Sequence, residues 1–235
     1  PRRTLYRCTT SAPVRASGTG AGAPLTGNRL RRSVATVLDL LLPRCCVRCG
    51  RRATGLCAEC ASALSPAPQL APPPGMRSCW ALVEHRGAGR DLVVALKFRR
   101  HLDAVELLGS AMAQLVQGTV GLVTWAPTTR ARRRERGFDQ AEILARSVAD
   151  CLGVECLSLL ERRSGANQTG RSRDERLTGP EFSVTRRTLR HLAPERPVLI
   201  VDDVRTTGAT LCAASEALLN AGATQIDGLT LSVRP

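Results

Sequence analysis

The stretch Val198-Leu199-Ile200-Val201-Asp202-Asp203-Val204-Arg205-Thr206-Thr207-Gly208-Ala209-Thr210 limits what this chain can fold into more than any other. Val198 to Val201 is a continuous apolar run, the pattern of a strand buried on both faces in a parallel sheet. Asp202 and Asp203 end that run with adjacent carboxylates. Thr206 to Thr210 is a small, hydroxyl-rich turn leading into a helical pattern at Leu211, Ala214 and Leu218. Small residues let backbone N–H groups converge on one point, and the following helix N-terminus adds partial positive charge. The product is a phosphate cup beside two acids. Carboxylates repel a bare phosphate, so these accept hydroxyls or face a Mg²⁺-bearing ligand. A sugar phosphate satisfies both halves; a strand–turn–helix with a merely polar tip is the plain alternative.

These residues resemble the signature of the type I phosphoribosyltransferases: four apolar residues, two acids, two variable residues and a Thr-Thr-Gly-x-Thr-like loop. That signature binds 5-phosphoribosyl-1-pyrophosphate. The resemblance implies that Asp202 and Asp203 are the catalytic pair and hold the ribose hydroxyls. It implies that Thr206, Thr207, Gly208, Ala209 and Thr210 hold the 5′-phosphate. Arg205 departs from the pattern, which more often has an apolar or small residue there.

A chain of 235 residues holds one ordinary domain plus a small module. No run approaches the roughly 18 apolar residues of a membrane span, so membrane insertion is not expected. The net charge of +14 suggests a nucleic-acid partner. Two observations discount that inference. Lys97 is the only lysine among 34 basic residues, so the arginine excess reads as compositional bias as much as function. Aromatics make up 3% of the chain, too few for evident base-stacking platforms.

Residues 1–28 are rich in Ser, Thr, Gly, Pro and Ala without periodicity and read as disordered. They lack the apolar core of a secretory signal, and a cytoplasmic location is expected. Gly18-Thr19-Gly20-Ala21-Gly22 follows no strand and reads as linker. Leu30, Val34, Val37, Leu38, Leu41 and Leu42 fall at helical spacing, and Pro43 ends that helix. Cys46-x-x-Cys49 and Cys57-x-x-Cys60 then form two knuckles suited to four thiolates on one tetrahedral Zn²⁺. Cys45 is a slipped alternative ligand. The zinc reads as a structural staple of a module spanning 29–61 that is too small to fold alone; recognition is the other reading.

Residues 62–78 carry five prolines between Pro66 and Pro74 and read as a semi-rigid extended linker to a domain spanning 79–235. Trp80 to Val83 reads as a short strand. Asp91 to Phe98 and Leu102 to Val116 read as helices, with Lys97 between them. A lysine retained in so arginine-rich a chain points to contact with an anionic ligand or a buried carboxylate, or to chance. Val120 to Trp125 is another strand. The segment 128–140 follows as an arginine-rich loop that either holds pyrophosphate, through Arg130 and its neighbours, or is a solvated basic turn. Asp139 and Glu142 suit the N-cap and N3 positions of a helix carrying Ala141, Leu144, Ala145, Val148 and Leu152. His85, His101 and His191 lack sequence partners and read as surface or core residues. Asn220-Ala221-Gly222 is a helix stop, and Leu229, Leu231 and Val233 alternate as a last strand.

Two Cys-x-x-Cys pairs, Leu96-Lys97-Phe98-Arg99, Arg136-Gly137-Phe138-Asp139-Gln140 and the phosphoribosyl motif occur in that order. The ordered set resembles the ComF/GntX family, in which a small zinc-finger module precedes a phosphoribosyltransferase-like domain. Some members of that family are implicated in DNA uptake during competence. The resemblance covers about residues 37 to 235. The chain departs from it at Val123-Thr124-Trp125-Ala126-Pro127 and at Asn167-Gln168, on the pyrophosphate side. The resemblance implies a mobile loop over 164–180 that closes on substrate and contains Gln168, Arg171, Arg173 and Arg176.

The expected fold is α/β: a type I phosphoribosyltransferase-like, mainly parallel sheet with flanking helices, preceded by a small four-cysteine zinc module. The expected ligand is Mg²⁺-phosphoribosyl pyrophosphate, joined at C1 to an unidentified nitrogen acceptor with loss of pyrophosphate. The competing expectation is a non-catalytic sensor of nucleotides or sugar phosphates, with single-stranded DNA or competence and DNA-handling proteins as partners.

Overall fold

The computed structural model describes residues 45–98, 102–163, 180–185 and 189–234. The disordered segment and first helix expected within 1–43, the loop residues Gln168, Arg171, Arg173 and Arg176, and His101 lie outside the described residues. All described residues lie in the compact unit that begins at Arg44.

Elements in chain order are α1 (Ala58–Ser62), β1 (Ser78–Glu84), α2 (Gly87–Phe98), α3 (Leu102–Ala113), β2 (Leu122–Trp125), α4 (Arg130–Arg136) and α5 (Gln140–Leu152). There follow β3 (Glu155–Cys156), β4 (Leu160–Arg162), β5 (Phe182–Val184), a single 3₁₀ turn (Leu189–His191), β6 (Val198–Arg205), α6 (Ala209–Asn220) and β7 (Ile226–Val233). Five strands form one sheet in the order β1-β7-β6-β2-β3, and every neighbouring pair is parallel. β4 and β5 form a separate antiparallel pair.

Both faces of the sheet are covered, which is why its strands read as near-continuous apolar runs. Side chains alternate along each strand. Leu199 and Val201 pack with Val123, Trp125, Leu229 and Leu231 under α2, α3 and α5. Val198 and Ile200 face the other way, with Leu122 and Ile226, against Leu211, Ala214 and Leu218 of α6 and Leu160 of β4. All eight residues of β7 are buried, its polar Thr230 and Ser232 included. One close approach fixes the first layer: a Cβ on Gly109 of α3 would lie 2.1 Å from the Ser147 hydroxyl of α5.

β2 leads outward through α4 and α5 to β3, whereas β6 leads through α6 to β7 on its other side. The connections leaving adjacent strands β2 and β6 therefore diverge and open a crevice at their carboxyl ends, where open α/β sheets bind ligands.

The proline-rich stretch does more than span a gap. Ala67 donates to the Leu82 carbonyl at 3.2 Å and Glu84 donates to that of Ser65 at 2.9 Å, so it lies against the free edge of β1. The cysteine loop is also anchored. Val47 belongs to the core beneath α2 and α3, and Gly55, at φ +72°, sits where a Cβ would meet the Asp103 carbonyl at 3.0 Å.

Candidate functional site

A cavity of about 330 Å³ occupies the crevice. Asp202, Asp203, Thr206 and Thr210 line it from β6 and the turn after it, Thr128 and Arg132 from the exit of β2, and Lys97 from α2. The two acids lie within β6, which runs on to Arg205 because β7 keeps pairing with it as far as Val233. Neighbours on a strand point to opposite faces. Asp202 is buried, and its Oδ1 accepts the Asp203 N–H at 2.8 Å. Burial first, and then the charge of Asp203, push its carboxyl well above the usual range. Asp203 turns toward α2, where Lys97 Nζ lies 3.5 Å from its Oδ2. Lys97 falls inside the last turn of α2 rather than between helices.

The turn after β6 has the expected shape. Gly208 caps α6 at φ +84°, a left-handed conformation that other residues adopt only with strain. The Thr207 hydroxyl accepts the Ala209 N–H at 3.3 Å. Thr206 and Thr210 reach the cavity; Thr207, Gly208 and Ala209 form the backbone of the turn without lining it. Arg205, the departure from the motif, donates to the Ala71 carbonyl at 3.0 Å and ties the proline-rich stretch to this turn.

The arginine-rich segment is a helix, not a loop. Thr129 caps α4 by accepting the Arg132 N–H at 3.3 Å, and Gly137 ends it at φ +77°. Arg130 is exposed and does not line the cavity; Arg132 and Arg136, later on the same helix, do. Asp139 caps α5 as expected, accepting from Ala141 at 3.1 Å and also from Thr128 at 2.8 Å. It thereby ties the exit of β2 to α5. Burial raises its pKa, and those N–H bonds oppose the rise. Glu142 does not complete a capping box; it bonds Arg146 at 2.9 Å instead.

Sequence reasoning missed three lining residues. Gln140 is 5% exposed, and among the described residues its amide nitrogen and oxygen have no partner. Arg162 enters from β4, with Phe182 5.7 Å from its guanidinium carbon. His85, expected at the surface or in the core, lies in the cavity wall with Nδ1 2.9 Å from Ser232 Oγ. Only a pairing 147 residues apart in sequence reveals that contact.

The four cysteines form a second candidate site. The sulfurs of Cys46, Cys49, Cys57 and Cys60 all lie within 4.8 Å of one another. Cys49 and Cys57 are 3.7 Å apart, close to the edge of about 3.8 Å that follows from Zn–S bonds of about 2.3 Å in a tetrahedron. Burial pushes the Cys60 thiol up to about 12. Cys46 is also buried, but N–H bonds from Cys57, Cys49 and Arg48 outweigh that and pull it down to about 6. Four sulfurs so close cannot all be thiolates without a cation among them. The cluster could therefore hold a metal such as zinc, and Cys45 stands outside it. Arg48 connects the cluster to the domain, 3.6 Å from Cys60 Sγ and 3.2 Å from Asp91 Oδ2 on α2.

With this geometry in hand, comparison with known proteins gives a consistent result. Residues 136–234 match the phosphoribosyl transferase domain. The chain is 31% identical over 105 residues to Competence protein ComFC of Streptococcus pneumoniae (strain ATCC BAA-255 / R6), covering 45% of this chain and 44% of that one. It is 33% identical over 106 residues to Competence protein ComFC of Bacillus subtilis (strain 168), covering 45% and 41%. These matches support a phosphoribosyltransferase-like protein similar to the ComF family. The matches span less than half the length of these relatives. Among solved structures, the allosteric regulatory enzyme of purine biosynthesis aligns at a TM-score of 0.39 and 20% identity, over 55% of this chain and 25% of that one. A purine phosphoribosyltransferase from Pyrococcus horikoshii aligns at 0.30 and 18%, over 56% and 74%. Among the described residues no helix is long and apolar enough to cross a membrane.

Proposed function

We propose that this protein binds Mg²⁺-phosphoribosyl pyrophosphate and transfers phosphoribose to a nitrogen acceptor, releasing pyrophosphate. One observation carries the reading: the paired acids, the glycine-capped turn and two arginines of α4 converge on one cavity at the diverging exits of β2 and β6. Thr206, Thr210 and the N-terminus of α6 hold the 5′-phosphate. Asp202 and Asp203 accept the ribose hydroxyls. Oxygen-rich groups of this kind also suit Mg²⁺, which arrives with the pyrophosphate. Arg132 and Arg136 offset the charge that develops on the departing pyrophosphate. Arg130, at the exposed start of α4, belongs to the solvated side of that helix. Gln168 and Arg171 remain candidates for the covering loop. Zinc on Cys46, Cys49, Cys57 and Cys60 would cross-link the cysteine loop and would take no part in the reaction. The test is a coupled assay for pyrophosphate release from Mg²⁺-phosphoribosyl pyrophosphate across a panel of nitrogen bases and ammonia. Release dependent on an acceptor supports the transferase.

A second reading rests on α4. Five of its seven residues are arginine, most of them exposed, in a chain that resembles competence proteins. In that reading the cavity senses a sugar phosphate and α4 engages the phosphates of single-stranded DNA. DNA affinity would then fall steeply with salt, and ligand would bind without pyrophosphate release.

A further inference from the structure

If the cavity performs this transfer, its two flanks have different duties. The sheet order places β6, with the acids and the turn, between two groups of residues. Beyond β2 lie the arginines of α4. On the β7 side lie His85, just after β1 with its ring against Ser232 of β7, and Lys97 of α2, 3.5 Å from Asp203. Displacement at C1 of the sugar brings the acceptor in opposite the leaving group. If pyrophosphate departs toward the arginines, the acceptor nitrogen enters from the flank that His85 lines.

The contacts around His85 accommodate a tautomer that leaves Nε2 free to accept a proton. Ser232 is fully buried, and its hydroxyl lies 3.4 Å from the Asp203 carbonyl and 2.9 Å from His85 Nδ1. A hydroxyl has one proton. Donated to the carbonyl, it leaves only lone pairs to face the imidazole. In that arrangement Nδ1 carries the ring proton and donates to Ser232, and Nε2 is left as a lone pair. Fixing one ring nitrogen so that the other can act is the usual way a histidine is prepared for proton transfer.

We propose that His85 Nε2 accepts the proton released by the acceptor nitrogen, with Ser232 positioning the ring. The proposal rests on the transferase reading, and its step balances. The C1–O bond to pyrophosphate breaks, and its electron pair leaves with pyrophosphate. The lone pair of the acceptor nitrogen forms the C1–N bond. The proton on that nitrogen passes to Nε2 and then to solvent. The charged groups around the ring are Lys97 and Arg90 from α2, Arg234 after β7 and Asp203 from β6. Burial first, and then Arg234 and Lys97, hold the imidazole below its ordinary value, which favours the uncharged ring.

The test compares wild type, His85→Gln and His85→Ala with Mg²⁺-phosphoribosyl pyrophosphate and, as probe acceptors, ammonia, adenine, hypoxanthine and uracil. Calorimetry of the donor substrate runs alongside. The expected result is a fall in kcat of about 10²-fold in His85→Gln, with a much smaller change in donor affinity. The acid limb of the wild-type pH profile should disappear in that variant, and free imidazole should restore part of the rate in His85→Ala. Ser232→Ala should lower the rate while leaving an acid limb, because the base remains but its tautomer is no longer fixed. Wild-type turnover with an unchanged rate and acid limb in His85→Gln would overturn the role of His85 and leave the transferase standing. Donor binding by wild type with no release for any probe would overturn both.

Discussion

Lys97→Met tests whether the one lysine of the chain was retained for the acid pair. In the folded protein its ammonium lies 3.5 Å from Asp203 Oδ2, and both side chains are about one-fifth exposed (23% and 21%). Exposed pairs contribute about 0.2–1 kcal/mol, and breaking a fully buried one costs about 3–5 kcal/mol. Partial exposure places this pair between those limits, so the variant should lose roughly 1–2 kcal/mol, or ~2–8 °C in Tm for a chain of this size. Without the lysine, Asp203 faces buried Asp202 with no cation at this distance from α2. Lys97→Arg should recover part of the loss, since it restores charge but not the compact geometry. Differential scanning calorimetry of the zinc-replete protein reads the effect, repeated at high salt because a partly buried pair is screened less than a surface one. An unchanged Tm in Lys97→Met would refute the reasoning and return Lys97 to chance.

Three further perturbations follow from the structure. Asp202 has its pKa raised on folding, so its contribution to stability is full below the unfolded value of about 3.9 and is lost as pH rises through the folded value. The stability of Asp202→Asn relative to wild type should therefore increase with pH in ligand-free thermal melts; a constant difference would show that the carboxyl is not perturbed. Gly109→Ala places a Cβ 2.1 Å from Ser147 Oγ and 2.6 Å from Ser147 Cβ, so rotating the hydroxyl cannot relieve it. The variant should lose about 1–3 kcal/mol in urea titration, and Ser147→Gly in the same chain should recover most of that. Cys60→Ser should lower the bound zinc found by metal analysis and expose the loop around Val47 to protease; full zinc content would exclude Cys60 as a ligand.

What the sequence reveals here depends on range. Val198–Val201, the glycine-capped turn and the Cys-x-x-Cys pairs are local patterns, and each folds as its spacing implies. The parallel sheet follows from such runs, since only burial on both faces tolerates them. The second strand pair was not legible, because Leu160–Arg162 and Phe182–Val184 are three residues each and carry no periodicity. Residues 130–136 read as a loop because the segment has no apolar face, yet the Thr129 cap and the Gly137 stop suffice for a short helix. The wall of the cavity was the least visible part. His85 meets Ser232 only because β1 and β7 pair side by side, and the Gln140 amide, without a partner among the described residues, is buried only once α5 is packed.

Calorimetric titration of the zinc-replete protein with Mg²⁺-phosphoribosyl pyrophosphate bears on the site as a whole. Saturable binding to one site per chain is expected, lost in Asp202→Asn/Asp203→Asn while circular dichroism and melting show that variant folded. A folded wild type that takes up no ligand, or a double variant that binds like wild type, would contradict the assignment of this cavity to phosphoribosyl pyrophosphate.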